Sequence, residues 1–191
     1  MKSFNIKLIC LCSLILFTCP SLPLAANEHT PEIKDIIVTT SNNDLLLFAT
    51  VKNCFTQDML DSVRNGIPIV FTYHLKLAKT SNNWFDTSLV ESSVTHTLTF
   101  DSNKKEYHIA FSNQNGKDVV TTDLEQAKQQ MAELNGTNVI ALTQLVADAP
   151  YAIHFKVTLK KGSLPLGLHR IVPFSSLWDF ETDWRTIEFR Y

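Results

Sequence analysis

From Pro31 to Lys52 the hydrophobic positions fall in two β-rich runs, PEIKDIIVTT and DLLLFATVK, joined at Ser41-Asn42-Asn43-Asp44. Short polar side chains between two such runs suit a tight turn, so this stretch predicts an N-terminal hairpin. Phe55-Thr56 then precede QDMLDSVRNG. Thr56 stands where a helix of about nine residues would be capped, Phe55 and Leu60 occupy staple positions, and Gly66 offers the left-handed conformation that ends such a helix.

Alternation of apolar and polar residues begins in IPIVFTYHLKLAKT, with Phe71, Tyr73, Leu75 and Leu77 on one face and Thr72, His74 and Lys76 on the other. SLVESSVTHTLTFD sets Val90, Val94, His96, Leu98 and Phe100 in phase, and KEYHIAF, after a turn at Ser102-Asn103-Lys104, groups Tyr107, Ile109 and Phe111. Together they predict an antiparallel meander, dry on one face and wet on the other. In TTDLEQAKQQMAELNG the period becomes helical: Thr122 and Glu125 form a candidate capping box, Leu124, Ala127, Met131 and Leu134 share a stripe, and Gly136 stands at the expected end. YAIHFKVTLKK turns Ile153, Phe155, Val157 and Leu159 inward and His154, Lys156, Thr158 and Lys160 outward, and RTIEFRY adds a last strand with Ile187, Phe189 and Tyr191. About seven strands and two short helices predict a mainly β chain, α+β by content, built as an antiparallel β-sandwich-like domain.

Two segments resist this scheme. As a strand, SLWDFETDW puts Trp178, Phe180, Thr182 and Trp184 on one face and Asp179, Glu181 and Asp183 on the other, yet Ile187, Phe189 and Tyr191 have the opposite parity. A bulge or turn near residues 182–186 is needed for both sets to reach the core. The three acids lie side by side rather than across a cleft, as a glycosidic pair about 5–9.5 Å apart would require, and read as a solubilising edge beside an aromatic anchor. GSLPLGLHRIVPF, residues 162–174, is apolar but broken by Gly162, Pro165, Gly167 and Pro173, which suits a loop packed over the end of the sandwich or an apolar contact lip.

The N-terminus changes the compartment. Lys2 and Lys7 precede an apolar run from Leu8 to Phe17, and Leu24-Ala25-Ala26 stands just before Asn27. The run is short of the roughly 20 residues that span a bilayer, so residues 1–26 read as a cleaved secretory signal and 27–191 as one domain without an integral membrane span, a retained anchor being the rival reading. Without Lys2 and Lys7, 15 of the 17 basic residues face 19 acidic ones, a net charge of −4 that gives no warrant for nucleic-acid binding. Of four cysteines only Cys54 lies beyond the signal, so no internal disulfide is expected and Cys54 reads as a small buried residue.

Six histidines raise the question of a metal. Pairing the meander at its turns sets His108 opposite Thr97 and His74 near Val94 or Thr95, roughly 9–10 Å apart at two strand spacings, too far for one ion. His96 lies among Val94, Leu98 and Phe100, where burial would lower its pKa. G-x-S-x-G, H-E-x-x-H, a phosphate loop and a calcium loop are all missing, so no catalytic, cofactor-binding or metal residue is predicted.

NCFTQDMLDSVRNGIPIVFTYHLKL, NNWFDTSLVESSVTHTLTFDSNKKEYHI, VTTDLEQAKQQMAELN and SLWDFETDW, in this order, resemble an uncharacterised family of exported proteins of Gram-negative bacteria, classed only as a domain of unknown function. Phe55, Gly66, Pro68, Trp84, Phe85, Trp178, Asp179, Phe180 and Trp184 match the family's pattern, while the sequence departs from it in the polar, uncharged Ser81-Asn82-Asn83, where the resemblance leads one to expect more charge. The resemblance implies an envelope protein with a signal sequence and carries over no catalytic residue, substrate or cofactor.

The resulting expectation is a non-enzymatic periplasmic protein that binds another cell-envelope protein. Trp84, Phe85, Leu166, His169, Arg170, Trp178 and Phe180 form the candidate interaction surface. Two alternatives stand beside it: a carrier of a small apolar ligand or lipid in a pocket lined by Tyr73, Val94 and Phe155, and an envelope hydrolase using His96 or His169.

Overall fold

The computed structural model describes residues 30–81, 86–113, 118–159 and 179–191. The predicted signal, Trp84, Phe85, the 162–174 segment and Trp178 lie outside the described residues.

Strands β1 (Glu32–Thr40) and β2 (Asp44–Lys52) form the predicted hairpin, with Ser41 N–H bonded to the Asp44 carbonyl across the turn. Helix α1 (Gln57–Arg64) follows, its Met59 N–H donating to the Thr56 hydroxyl at 3.3 Å, and Gly66 takes φ 86° beyond its end. Strands β3 (Ile69–Lys79), β4 (Thr87–Asp101) and β5 (Glu106–Phe111) make the meander; β6 (Val119–Thr121) adds a short edge. Helix α2 (Leu124–Ala132) runs directly into β7 (Glu133–Ala141), and β8 (Pro150–Leu159), β9 (Phe180–Glu181) and β10 (Arg185–Arg190) complete the order.

All pairings are antiparallel, in a three-stranded sheet β1-β2-β7 and a seven-stranded sheet ordered β10-β8-β3-β4-β5-β6 with β9 also on β8. This is the expected sandwich-like arrangement. The inner face of the large sheet supplies Phe71, Tyr73, Leu77, Leu98, Ile109, Ile153, Phe155 and Val157, all at most 1% exposed. Opposite them lie Leu45, Leu47 and Ala49 of the small sheet and Ala127 and Met131 of α2 in one continuous core. Each fully buried Leu, Ile, Val or Phe contributes about 1.5–3 kcal/mol relative to an exposed one, so alternation of this length fixes which face turns inward.

Four local expectations are corrected. Asp123, not Thr122, caps α2: its carboxylate accepts from Glu125 N–H at 2.8 Å and Gln126 N–H at 3.4 Å, a reach an Asp at the position before Leu124 has naturally. Gly136 does not end the helix, which stops at Ala132 because Leu134, Thr137, Val139 and Ile140 are buried as a strand against β2. Asn135 and Gly136 are two residues set against Phe48 alone, between the pairs Leu47↔Thr137 and Ala49↔Leu134, and Gly136 adopts φ 63° at this bulge. Strands β6 and β7 are additions to the predicted set. Finally, His108 stands opposite Thr99 and His74 opposite Ser93, six residues apart along β4, or about 20 Å at 3.3 Å per residue.

Candidate interaction face

The residues that β3, β4 and β8 turn away from the core form a polar field on the outer face of the large sheet. Register sets it out in rows: Lys76 between Glu91 and His154, and His74 between Ser93 and Lys156. Lys76 Nζ lies 2.8 Å from a Glu91 carboxylate oxygen, and Lys156 Nζ donates to Glu181. His74 Nε2 is 3.0 Å from the Thr158 hydroxyl, and His154 Nδ1 is 2.9 Å from the Thr186 hydroxyl.

Trp184 lies over this field, with Lys156 Nζ 4.8 Å and Lys76 Nζ 5.6 Å from its ring. Its place follows from the edge of the sheet. Phe180 pairs with Leu159 and Glu181 with Thr158, but Arg185 pairs with Phe155, so Thr182, Asp183 and Trp184 stand against only Lys156 and Val157. This is the irregularity that the opposite parities of SLWDFETDW and RTIEFRY require. Thr182 pins it: its N–H donates to the Val157 carbonyl at 3.0 Å, and its hydroxyl accepts from Val157 N–H at 3.0 Å. The extra residue inverts the alternation after Thr182, which is buried, and Trp184 emerges on the outer face, 42% exposed. The expectation that it shares a face with Phe180 is thereby corrected.

His74, Leu75, Lys76, Glu91, Ser92, Ser93, Lys156, Thr158, Glu181 and Trp184 line a groove of about 380 Å³. Its two lysines are matched by two glutamates, so it presents no strong field of either sign. Exposed ion pairs contribute about 0–1 kcal/mol each and an exposed cation–π contact about 0.5–1, enough to hold the indole in place without burying it.

The other reactive side chains sit elsewhere. His96 is 2% exposed between the rings of Tyr73 and Phe111, each 4.6 Å away, and its Nδ1 lies 3.2 Å from the Met131 carbonyl. Burial holds its pKa down to about 4, so the ring is neutral at pH 7, and bonding to a carbonyl makes Nδ1 the protonated nitrogen. Cys54 is buried with its thiol 3.5 Å from the Val51 carbonyl, and burial pushes it up to about 12. Among the described residues no three of His, Cys, Asp and Glu gather in metal-binding geometry. No helix among them is long and apolar enough to cross a membrane.

Of the seven residues of the predicted surface, Phe180 is the one described, and it turns inward, half-buried, with its ring edge-on to Phe71 at 5.4 Å. Trp184 was absent from that set because strict alternation places it beside Phe180; the parity conflict with Ile187 is the signal that could have found it.

Neither the curated proteins nor the solved structures contain a detectable relative of this chain. A family model does match, over residues 28–188, and the chain accordingly belongs to the family described as a domain of unknown function, DUF4390.

Proposed function

We propose that this is a non-enzymatic protein of the Gram-negative periplasm that binds another cell-envelope protein through the outer face of its seven-stranded sheet. The observation that carries the reading is Trp184, a large aromatic side chain raised out of the core by a bulge and held over Lys76 and Lys156 at the rim of a groove. Exposed tryptophans on a rigid support are the residues on which protein interfaces concentrate their energy. The compartment rests on Lys2, Lys7 and the apolar run that follows them.

The alternatives find less support. Tyr73 and Phe155 of the supposed carrier pocket are 1% and 0% exposed, with their rings stacked 6.1 Å apart, so these side chains fill the space between them. A general base needs access and a proton to move, whereas His96 is enclosed by aromatic rings and bonded to a backbone carbonyl. The test is photocrosslinking in intact cells from position 184, with export verified. A reproducible protein adduct of defined mass supports the reading; a lipid adduct, or none, overturns it.

A further inference from the structure

Strand β4 outruns its neighbour. β3 pairs with it from Thr87 to Leu98, but β5 pairs with it only from His96 to Asp101. Among the described residues Thr87–Thr95 therefore have a paired strand on one side alone. Ser112 marks where the second partner ends: its N–H donates to the Thr95 carbonyl at 3.0 Å, and its hydroxyl accepts from Thr95 N–H at 2.9 Å. The amide groups of Thr95 thus point away from β3. Because successive residues of a strand direct their amides to alternate sides, those of Glu91 and Ser93 point to the same side, while those of Ser92 and Val94 face β3. Thr87–Leu89 and Glu91–Ser93 are exposed, so this side meets water.

Proteins blunt such edges with proline, lysine, bulges or shortness. β1 is interrupted by Asp35 at φ 53° and a register shift, β7 by Gly136 at φ 63°, β6 is three residues long, and β10 begins and ends with arginine. From Val90 to Val94 the β4 edge has none of these devices; its bulge, at Leu89, lies outside the stretch. The edge also borders the groove, since Glu91, Ser92 and Ser93 line it.

We propose that Val90–Val94, through the open amides of Glu91 and Ser93, accepts an extended segment of the partner protein as an added strand, with a lysine or arginine of that segment beside Glu91. This rests on the partner-binding reading above and gives it a mode of contact. Glu91, with 67% of its side chain exposed and one carboxylate oxygen bridged to Lys76, is the one charged residue of this stretch and lies on the outer face at its edge. Val90 and Val94, turned to the core side, set an apolar requirement on the other face. The segment that fits alternates apolar residues with polar ones that include a cation.

The test uses the full chain in intact cells, with photoreactive residues placed singly at Glu91, Ser93 and Trp184. Strand addition predicts that adducts from 91 and 93 fall on partner residues two positions apart. Ser93→Pro removes an N–H aimed at the open side and none of the ladder to β3, so it should leave thermal unfolding unchanged and cut the adduct from 91 about tenfold. Glu91→Lys, which keeps the backbone intact should the proline variant fail to fold, should cut the adduct from 93 about threefold through charge alone. Adducts on partner residues out of step, insensitivity to both variants, or an adduct that is a second copy of this chain would overturn the proposal. An adduct from 184 with none from 91 or 93 leaves partner binding standing and removes strand addition; no adduct from any position removes both.

Discussion

The Tyr73 hydroxyl and the His96 imidazole meet at a single acceptor, the Met131 carbonyl in the last turn of α2. Helix ends leave their final carbonyls without intrahelical partners, and here α2 passes directly into a strand inside the core, where water cannot serve. Two side chains from β3 and β4 take that place, their rings 4.6 Å apart and tilted by 51°.

Stability should therefore depend on pH through His96. An unfolded His96 titrates near 6.5, while burial holds the folded one to about 4. Below 6.5 the unfolded chain binds a proton that the folded chain refuses, so stability is full above 6.5 and declines as pH falls toward 4. The gap, at 1.36 kcal/mol per pH unit, corresponds to roughly 3 kcal/mol. Urea unfolding near pH 7 and near pH 4.5 should show most of this loss in the native sequence and little of it in His96→Phe.

Tyr73→Phe should cost about 1–2 kcal/mol at pH 7, because it removes one of two donors from a buried carbonyl. The double variant Tyr73→Phe/His96→Phe should cost more than the sum of the single changes, since only then is Met131 left without either donor. A double-mutant cycle from equilibrium unfolding measures that excess; strict additivity would show that the shared acceptor is immaterial.

Gly136→Ala and Gly66→Ala should separate two costs of a side chain. Both glycines have positive φ, but an added Cβ at Gly66 meets open space, whereas at Gly136 it would lie 3.2 Å from the Phe48 ring. Backbone strain of about 1 kcal/mol is common to both, and the clash should make Gly136→Ala the worse by about another 1 kcal/mol in thermal unfolding.

The Cys54 thiol should be inert to a soluble disulfide reagent in the folded protein at pH 8 and react fully once the chain is unfolded. Burial and a pKa near 12 both withhold the thiolate that such exchange requires. Rapid labelling under native conditions would mean that this region opens readily.

Trp184→Ala should lower stability by no more than about 1–2 kcal/mol, because the indole is 42% exposed and lies outside the core, over Lys76 and Lys156. A larger loss in unfolding experiments would assign Trp184 to the support of the fold rather than to its outer surface.

Legibility in the sequence followed the length of the alternating runs. β3 and β8 could be read residue by residue because nine or more positions keep one phase and the core they face is continuous. β7 was hidden, since AELNG fits a helix end by local chemistry and a bulge by its pairing with Phe48, and only the tertiary partner decides between them. The same limit governs the outer face: His74, Lys76 and Lys156 could be assigned to the wet side, but the register that draws them under Trp184 comes from pairing β8 with β3 and with the C-terminal edge. His96 shows the converse, its apolar neighbours already implying a depressed pKa before its partner was known.

The additional residue held by Thr182 divides the C-terminal segment into two compartments open to independent change. Substitutions at Asp183 or Trp184 rewrite what the outside of the sheet presents, while Phe180 and Phe189 keep their packing on either side. Were the chain to keep every residue but run straight through this point without the bulge, everything after it would turn inside out: Ile187 and Phe189 toward solvent, Glu188 and Arg190 toward the core. A family of such chains can thus vary its outward contact at one position without renegotiating the interior.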